Sequence, residues 1–140
     1  MNDRYLFRAK RTDNGEWVEG YYTYYPHGFT SEDKMEHVIR DTVTSEDCNK
    51  MYFVDPSTIC QCTGLKDKNG KLIWENDIIK CKEIITTVLW STKYASYALT
   101  RKGWLYDHFF GESQNPEECE VIGNIFDEGS ENIGKGAEEN

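Results

Sequence analysis

Two Asn-Gly pairs, Asn14-Gly15 and Asn69-Gly70, each lie between segments in which apolar and polar residues alternate. A type I′ turn needs positive φ at both central residues. Asn and Gly tolerate this at least cost, so such pairs commit a chain to antiparallel hairpins. In YLFRAKRTDNGEWVEGYYTYY, reversal at Asn14-Gly15 sets Asp13 opposite Glu16 and Lys10 opposite Glu19. Tyr5, Phe7 and Ala9 then share an apolar face with Val18, Gly20, Tyr22 and Tyr24, while Arg8, Lys10 and Glu19 take the other. Ala9 facing Gly20 leaves room for an approaching backbone or a bulky ring.

The stretch TGLKDKNGKLIWENDII, residues 63 to 79, repeats this logic. Pairing across Asn69-Gly70 sets Lys68 by Lys71, Asp67 by Leu72 and Leu65 by Trp74. Leu65, Leu72 and Trp74 then share an inward face. A second turn follows and asks for positive φ at Asn76. Asn is the non-glycine residue most often found there, at a cost of about 1 kcal/mol relative to Gly. Asp77 is placed to cap that turn, and Asp55, before Pro56, to start another with its carboxylate on nearby N–H groups. Asn14, Gly15, Asn69, Gly70, Asn76 and Asp77 are thus read as turn residues.

The remaining segments extend the β pattern. HVIRDTV and KMYFVDP read as short strands joined by the polar loop TSEDCN, because adjacent β-branched residues disfavour a helix through Met35, Val38 and Ile39. PHGFTSEDKMEH reads as an exposed loop able to start a helix at Ser31. Ile78 to Cys81, IITTVLW, its hairpin partner YASYALT, and CEVIGNIF read as strands. LYDHFFGESQNPEE is either a loop with an aromatic anchor or one short helix. The expectation is an all-β, mostly antiparallel domain over residues 1–127. It carries at most one or two short helices, and an acidic tail over 128–140 is too polar to pack and is expected to be disordered. A chain of 140 residues buries about two-thirds of its unfolded surface and needs neither metal nor disulfides to fold.

A formal charge of −9 repels a phosphate backbone unless cations gather on one face. Arg4, Arg8, Lys10 and Arg11 do cluster in sequence, but alternation sends Arg11 away from Arg8 and Lys10, which disfavours nucleic acid. No apolar run of signal-peptide or membrane-spanning length is present, and five cysteines without a secretory signal read as free thiols of a reducing compartment, the cytosol.

Cys60, Cys62, Cys81 and Cys119 lack the paired spacing of a structural zinc site and read as small core residues. His27, His37 and His108 are dispersed. His37 with Glu36, Asp107 with His108, and Glu75 with Asp77 are the acid–base candidates, each weaker than a structural role. No phosphate loop or hydrolase elbow is present. No catalytic, cofactor-binding or metal-binding residue is therefore assigned.

Three segments in order, FRAKRTDNGEWVEGYY, VDPSTICQCTGLKDKNGKLIWENDIIK and EVIGNIF, resemble the YopX-like family of bacteriophage and prophage proteins over most of residues 4 to 127. The chain departs from that pattern at Asn76, where relatives usually carry Gly, and matches poorly from Ile84 to Glu118. The resemblance implies a compact, mostly β, barrel-like fold in a phage or prophage protein of the host cytoplasm. It implies no reaction.

Trp17 and Tyr21 lie on the outward face of the first hairpin beside Arg8 and Lys10, forming a candidate contact surface. The leading reading is a non-catalytic accessory domain that binds itself as a homo-oligomer, or a host or phage protein. The alternatives are a small metal-dependent enzyme using Glu75, Asp77 and a histidine or the thiols, and a nucleic-acid-binding or DNA-mimic protein.

Overall fold

The computed structural model describes residues 3–27, 34–41, 50–107 and 109–127. By the density of its own contacts the chain divides into two compact units, Met1–Cys62 and Thr63–Asn140.

The first unit contains strands β1 (Phe7–Lys10), β2 (Trp17–His27), β3 (Lys34–Asp41), β4 (Met51–Phe53) and the start of β5 (Cys60–Lys66). These lie in the order β4-β3-β2-β1-β5. The pairings are antiparallel, and β1 sits between β2 and β5. Ala9, Val18, Ile39 and Val54 form its buried cluster, with Phe7, Tyr52 and Ile59 packed against them. Asp55 caps a 3-10 turn over Pro56–Thr58, its carboxylate accepting from the Ser57 N–H at 3.0 Å.

The second unit contains the rest of β5 with its neighbour β6 (Leu72–Trp74), and an antiparallel sheet of five strands. These are β7 (Asp77–Cys81), β8 (Ile84–Ser91), β9 (Ser96–Arg101), β10 (Trp104–Asp107) and β11 (Cys119–Asn124), in the order β10-β9-β8-β7-β11. Ile73, Ile79, Val88, Leu99 and Phe110 make the core.

The all-β expectation therefore holds, and the barrel does not. Among the described residues neither sheet closes on itself: β4, β6, β10 and β11 each have a strand on one side only. At β11 the reason is local. The Val121 N–H is taken by the Asp67 carboxylate at 3.0 Å and the Cys119 carbonyl by the Lys68 N–H at 2.9 Å, so a turn caps that edge where a barrel would need a strand.

Both Asn-Gly reversals form, with more residues than a type I′ turn uses. At the first, the Arg11 N–H bonds the Glu16 carbonyl at 2.9 Å, leaving a four-residue loop in which Gly15 alone has positive φ, at 73°. The Asn14 side chain accepts from the Glu16 N–H, and Arg11 pairs with Asp13 through two hydrogen bonds. These local bonds hold the wider loop. Lys10 consequently pairs with Trp17 rather than Glu19, and Ala9 with Val18. The register moves by two residues, which preserves the faces because side chains alternate with a period of two.

At the second reversal the Asp67 N–H bonds the Lys71 carbonyl and the Gly70 N–H bonds the Asp67 carbonyl. That is a three-residue loop with its last residue left-handed. Lys68 therefore does not face Lys71, and Ile73, not Leu72, is the fully buried residue in contact with the Leu65 cluster.

Three further expectations change. Trp104–Asp107 is a strand, β10, where an irregular segment was expected; the aromatic anchor is Phe110, buried in the core. Tyr94 and Ala95 belong to the β8–β9 turn rather than to a strand. Cys81 and Cys119, directly paired between β7 and β11, form a disulfide, so they are not free thiols. The reason is topological: partners 38 residues apart in sequence become cross-strand neighbours only when β11 docks on β7. Cys60 and Cys62 keep their thiols and are fully buried, the Cys60 Sγ donating to the Thr58 carbonyl at 3.2 Å. The proposed helix start at Ser31, the loop 44–49 and the tail 128–140 lie outside the described residues. Among those described, no helix is long and apolar enough to cross a membrane.

Gly20 pairs with Asp41, and a Cβ there would land on the Arg40 carbonyl oxygen, so the backbone approach anticipated at this glycine is made by β3. We predict that Gly20→Ala lowers unfolding free energy by about 3 kcal/mol, because backbone has to move. Gly15→Ala meets no atom within 4 Å and should cost only about 1 kcal/mol from its left-handed φ. Denaturant titration of both variants checks the contrast; equal losses would contradict it.

Candidate functional site

Residues 63 to 79 were the most distinctive sequence, and their polar side chains hold backbone. Asp67 is buried, at 4% exposure, and accepts three main-chain N–H groups. Oδ1 takes Asn69 and Lys71 at 2.8 and 2.9 Å, and Oδ2 takes Val121 at 3.0 Å. Burial pushes this carboxyl up, but the N–H donors of Val121, Lys71 and Asn69, with the Lys71 charge, outweigh it and hold the pKa below the ordinary carboxylate value.

Asp77 is 1% exposed, and its Oδ2 accepts the Trp74 N–H at 2.8 Å across the turn. Asn76 has φ of 71°, its N–H bonds the Val88 carbonyl at 2.7 Å, and its carbonyl accepts from Ile125. This residue thus ties the β6–β7 turn by main chain to β8 and to the segment just after β11. Of the Glu75 and Asp77 pair, Asp77 commits its Oδ2 to the Trp74 N–H.

The second candidate is the outward face of the first hairpin. Arg8 and Lys10 both lie over the Trp17 ring, at 4.9 and 5.4 Å from its centroid. Sequence alternation brought these three together correctly. Tyr21, two positions beyond Glu19 on β2, pairs with Arg40 on β3 and extends the face in that direction. Trp17 and Tyr21 are half-buried, so their rings are partly covered by the protein's own side chains. Glu19 lies among these groups. Burial raises its pKa and Asp41 raises it further, against the lowering pull of Arg8.

His37 pairs with Tyr22, Nδ1 to Oη at 2.5 Å, and stacks on Tyr24 at 4.5 Å, so its partners are aromatic rather than Glu36. His108 lies outside the described residues, and Asp107 accepts the Phe109 N–H. Among the described residues no three His, Cys, Asp or Glu side chains gather as a metal site.

Sequence reading missed the most exposed apolar surface. On β10, the edge strand of the second unit, Trp104 is 80% exposed, Tyr106 48% and Leu105 41%. Phe109 continues this edge and meets Tyr94 edge-to-face at 5.9 Å. Tyr106, Asp107, Phe109, Ser113 and Gln114 line an open cleft of about 390 Å³ here. The signal was present in WLYDHFF, a run of large apolar residues after a Lys-Gly turn. That turn, with positive φ at both Lys102 and Gly103, has the type I′ pattern expected at the Asn-Gly pairs.

The chain is thus an antiparallel β protein of two unclosed sheets whose motif acids Asp55, Asp67 and Asp77 accept main-chain N–H groups. The chain belongs to the YopX protein family, whose model matches residues 6–130. No curated protein matches it.

Two titrations follow. Asp67→Asn should cost about 2 kcal/mol at neutral pH, since an amide cannot accept on both oxygens. Because the folded pKa is depressed, the ionised form stabilises above the unfolded value near 3.9, and that contribution is lost as pH falls through the folded pKa. The gap between wild type and variant should narrow accordingly in acid. Glu19 has the opposite sign: its raised folded pKa makes the ionised form destabilising at neutral pH. Glu19→Gln should raise the melting temperature at pH 7, with the gain disappearing below the unfolded glutamate pKa of about 4.3. A pH-independent difference in either variant would contradict the assignment.

Proposed function

We propose that this chain is a non-catalytic phage or prophage accessory domain, working in the host cytoplasm through contact with another protein or with a second copy of itself. The observation that supports this most directly is the run of exposed Trp104, Leu105 and Tyr106 on an edge strand. Exposed apolar patches of several large residues mark association surfaces far more often than they occur on isolated monomers. The roles of Asp67 and Asp77 support the same reading, since each carboxylate accepts backbone donors that burial would otherwise leave unmet, and Asp55 caps an exposed turn.

The test pairs light scattering of the purified chain with affinity capture from host lysate. The expectation is a defined oligomer or a stoichiometric protein partner. A strict monomer that retains nothing would remove the proposal. Elemental analysis with melting curves in added divalent cations separates it from the metalloenzyme alternative: near-stoichiometric metal, or a cation-dependent rise in melting temperature, would favour the enzyme.

A further inference from the structure

The two edges of the second unit's sheet differ. At β11, the Asp67–Lys68 turn takes the Val121 N–H and the Cys119 carbonyl, and Lys68 faces Glu120 at 3.6 Å. That edge is blunted by charge and by side-chain hydrogen bonding. At β10, β9 lies on one side and no strand lies on the other among the described residues. Its four residues, Trp104-Leu105-Tyr106-Asp107, include neither Pro nor Lys, the usual edge protectors. A bulge at Tyr106, between Leu105 and Asp107, and the terminal Asp107 are its blunting devices among the described residues. Trp104 and Leu105 project to opposite faces, so apolar surface is exposed on both sides of the strand.

We infer that β10 is a self-association edge: two copies of the chain pair β10 against β10, antiparallel, about a two-fold axis. This deepens the contact function proposed above and rests on it. Charge favours a second copy as the occupant. Arg101, at the end of β9, and Lys102, in the turn, stand before the strand, which ends in Asp107 and is followed by the turn residue Glu112. Antiparallel pairing sets the basic end of each copy against the acidic end of the other, whereas parallel stacking would juxtapose like charges. A two-fold contact is self-complementary in this way by construction. The exposed parts of Trp104, Leu105, Tyr106, Phe109 and Tyr94 amount to roughly 500 Å² at the usual areas of such side chains. That is below the roughly 800 Å² per partner of a standard-sized interface, which makes the dimer weak and concentration-dependent.

The experiment is light scattering across a concentration series on the full chain, comparing wild type with Leu105→Lys, Trp104→Lys and Trp17→Ala. Circular dichroism and melting curves confirm that each folds, and the high exposure of Trp104 keeps at least that variant foldable. The expected result is a dimer for wild type and Trp17→Ala, with the dissociation constant raised tenfold or more by either β10 substitution. Lys102→Glu should weaken the dimer, and adding Glu112→Lys in the same chain should restore it.

A dimer unaffected by the β10 variants but lost in Trp17→Ala would overturn this inference while leaving the contact function standing on the first hairpin. A wild-type monomer at every concentration would also overturn it. Capture of a stoichiometric partner that depends on Trp104 would then assign the edge to an extended segment of another protein. Absence of both a dimer and a partner would remove the contact function as well.

Discussion

A buried carboxylate at the end of a hairpin is costly unless backbone donors surround it, and Asp67 meets that condition with three. Two of these donors belong to its own turn and the third to β11, which is more than fifty residues distant in sequence. A single side chain therefore shapes the second hairpin, fixes where the last strand lies and caps the edge of the five-stranded sheet. Asn76 works by main chain toward the same end, bonding Val88 on β8 and Ile125 just after β11. The Cys81–Cys119 disulfide joins β7 to β11 in the same region of that sheet. The family's most distinctive stretch is thus a junction where strands are fastened.

This use of acids bears on function. Each of the three motif carboxylates, Asp55, Asp67 and Asp77, accepts at least one main-chain N–H group. The exposed large apolar side chains include Trp104, Leu105 and Tyr106 on β10, while Trp17 lies under Arg8 and Lys10.

Much of this fold was readable from periodicity. The faces of the first hairpin survived its shifted pairing, because a two-residue slip across Asn14-Gly15 leaves every side chain on its original face. The one-residue slip at Asn69-Gly70 instead put Ile73 in place of Leu72 beside Leu65. The turn geometry was not readable. Asn-Gly suggests a type I′ turn, but side-chain bonds from Asn14 to Glu16 and from Asp67 to Asn69 stabilise longer loops. A type I′ pattern instead forms at Lys102-Gly103, where strand pairing imposes positive φ on a lysine. Asp67 looked like one more polar residue beside a turn, because its partner on β11 is set by tertiary docking. The grouping of Arg8, Lys10 and Trp17 was legible because it depends on neighbouring strands of one hairpin. The β10 edge was not, because its exposure depends on which strand stays unpaired when the sheet is complete. Cysteine pairing escaped for the same reason.

Native-state hydrogen exchange at the Val121 and Trp74 amides tests the central claim most directly. Both N–H groups end on buried carboxylates, Asp67 and Asp77. If those side chains are what fasten the junction, the two amides should exchange only through global unfolding, with opening free energies equal to the stability of the whole chain. Exchange at rates typical of an open loop, while the neighbouring strand amides stay protected, would show that the carboxylates do not hold it.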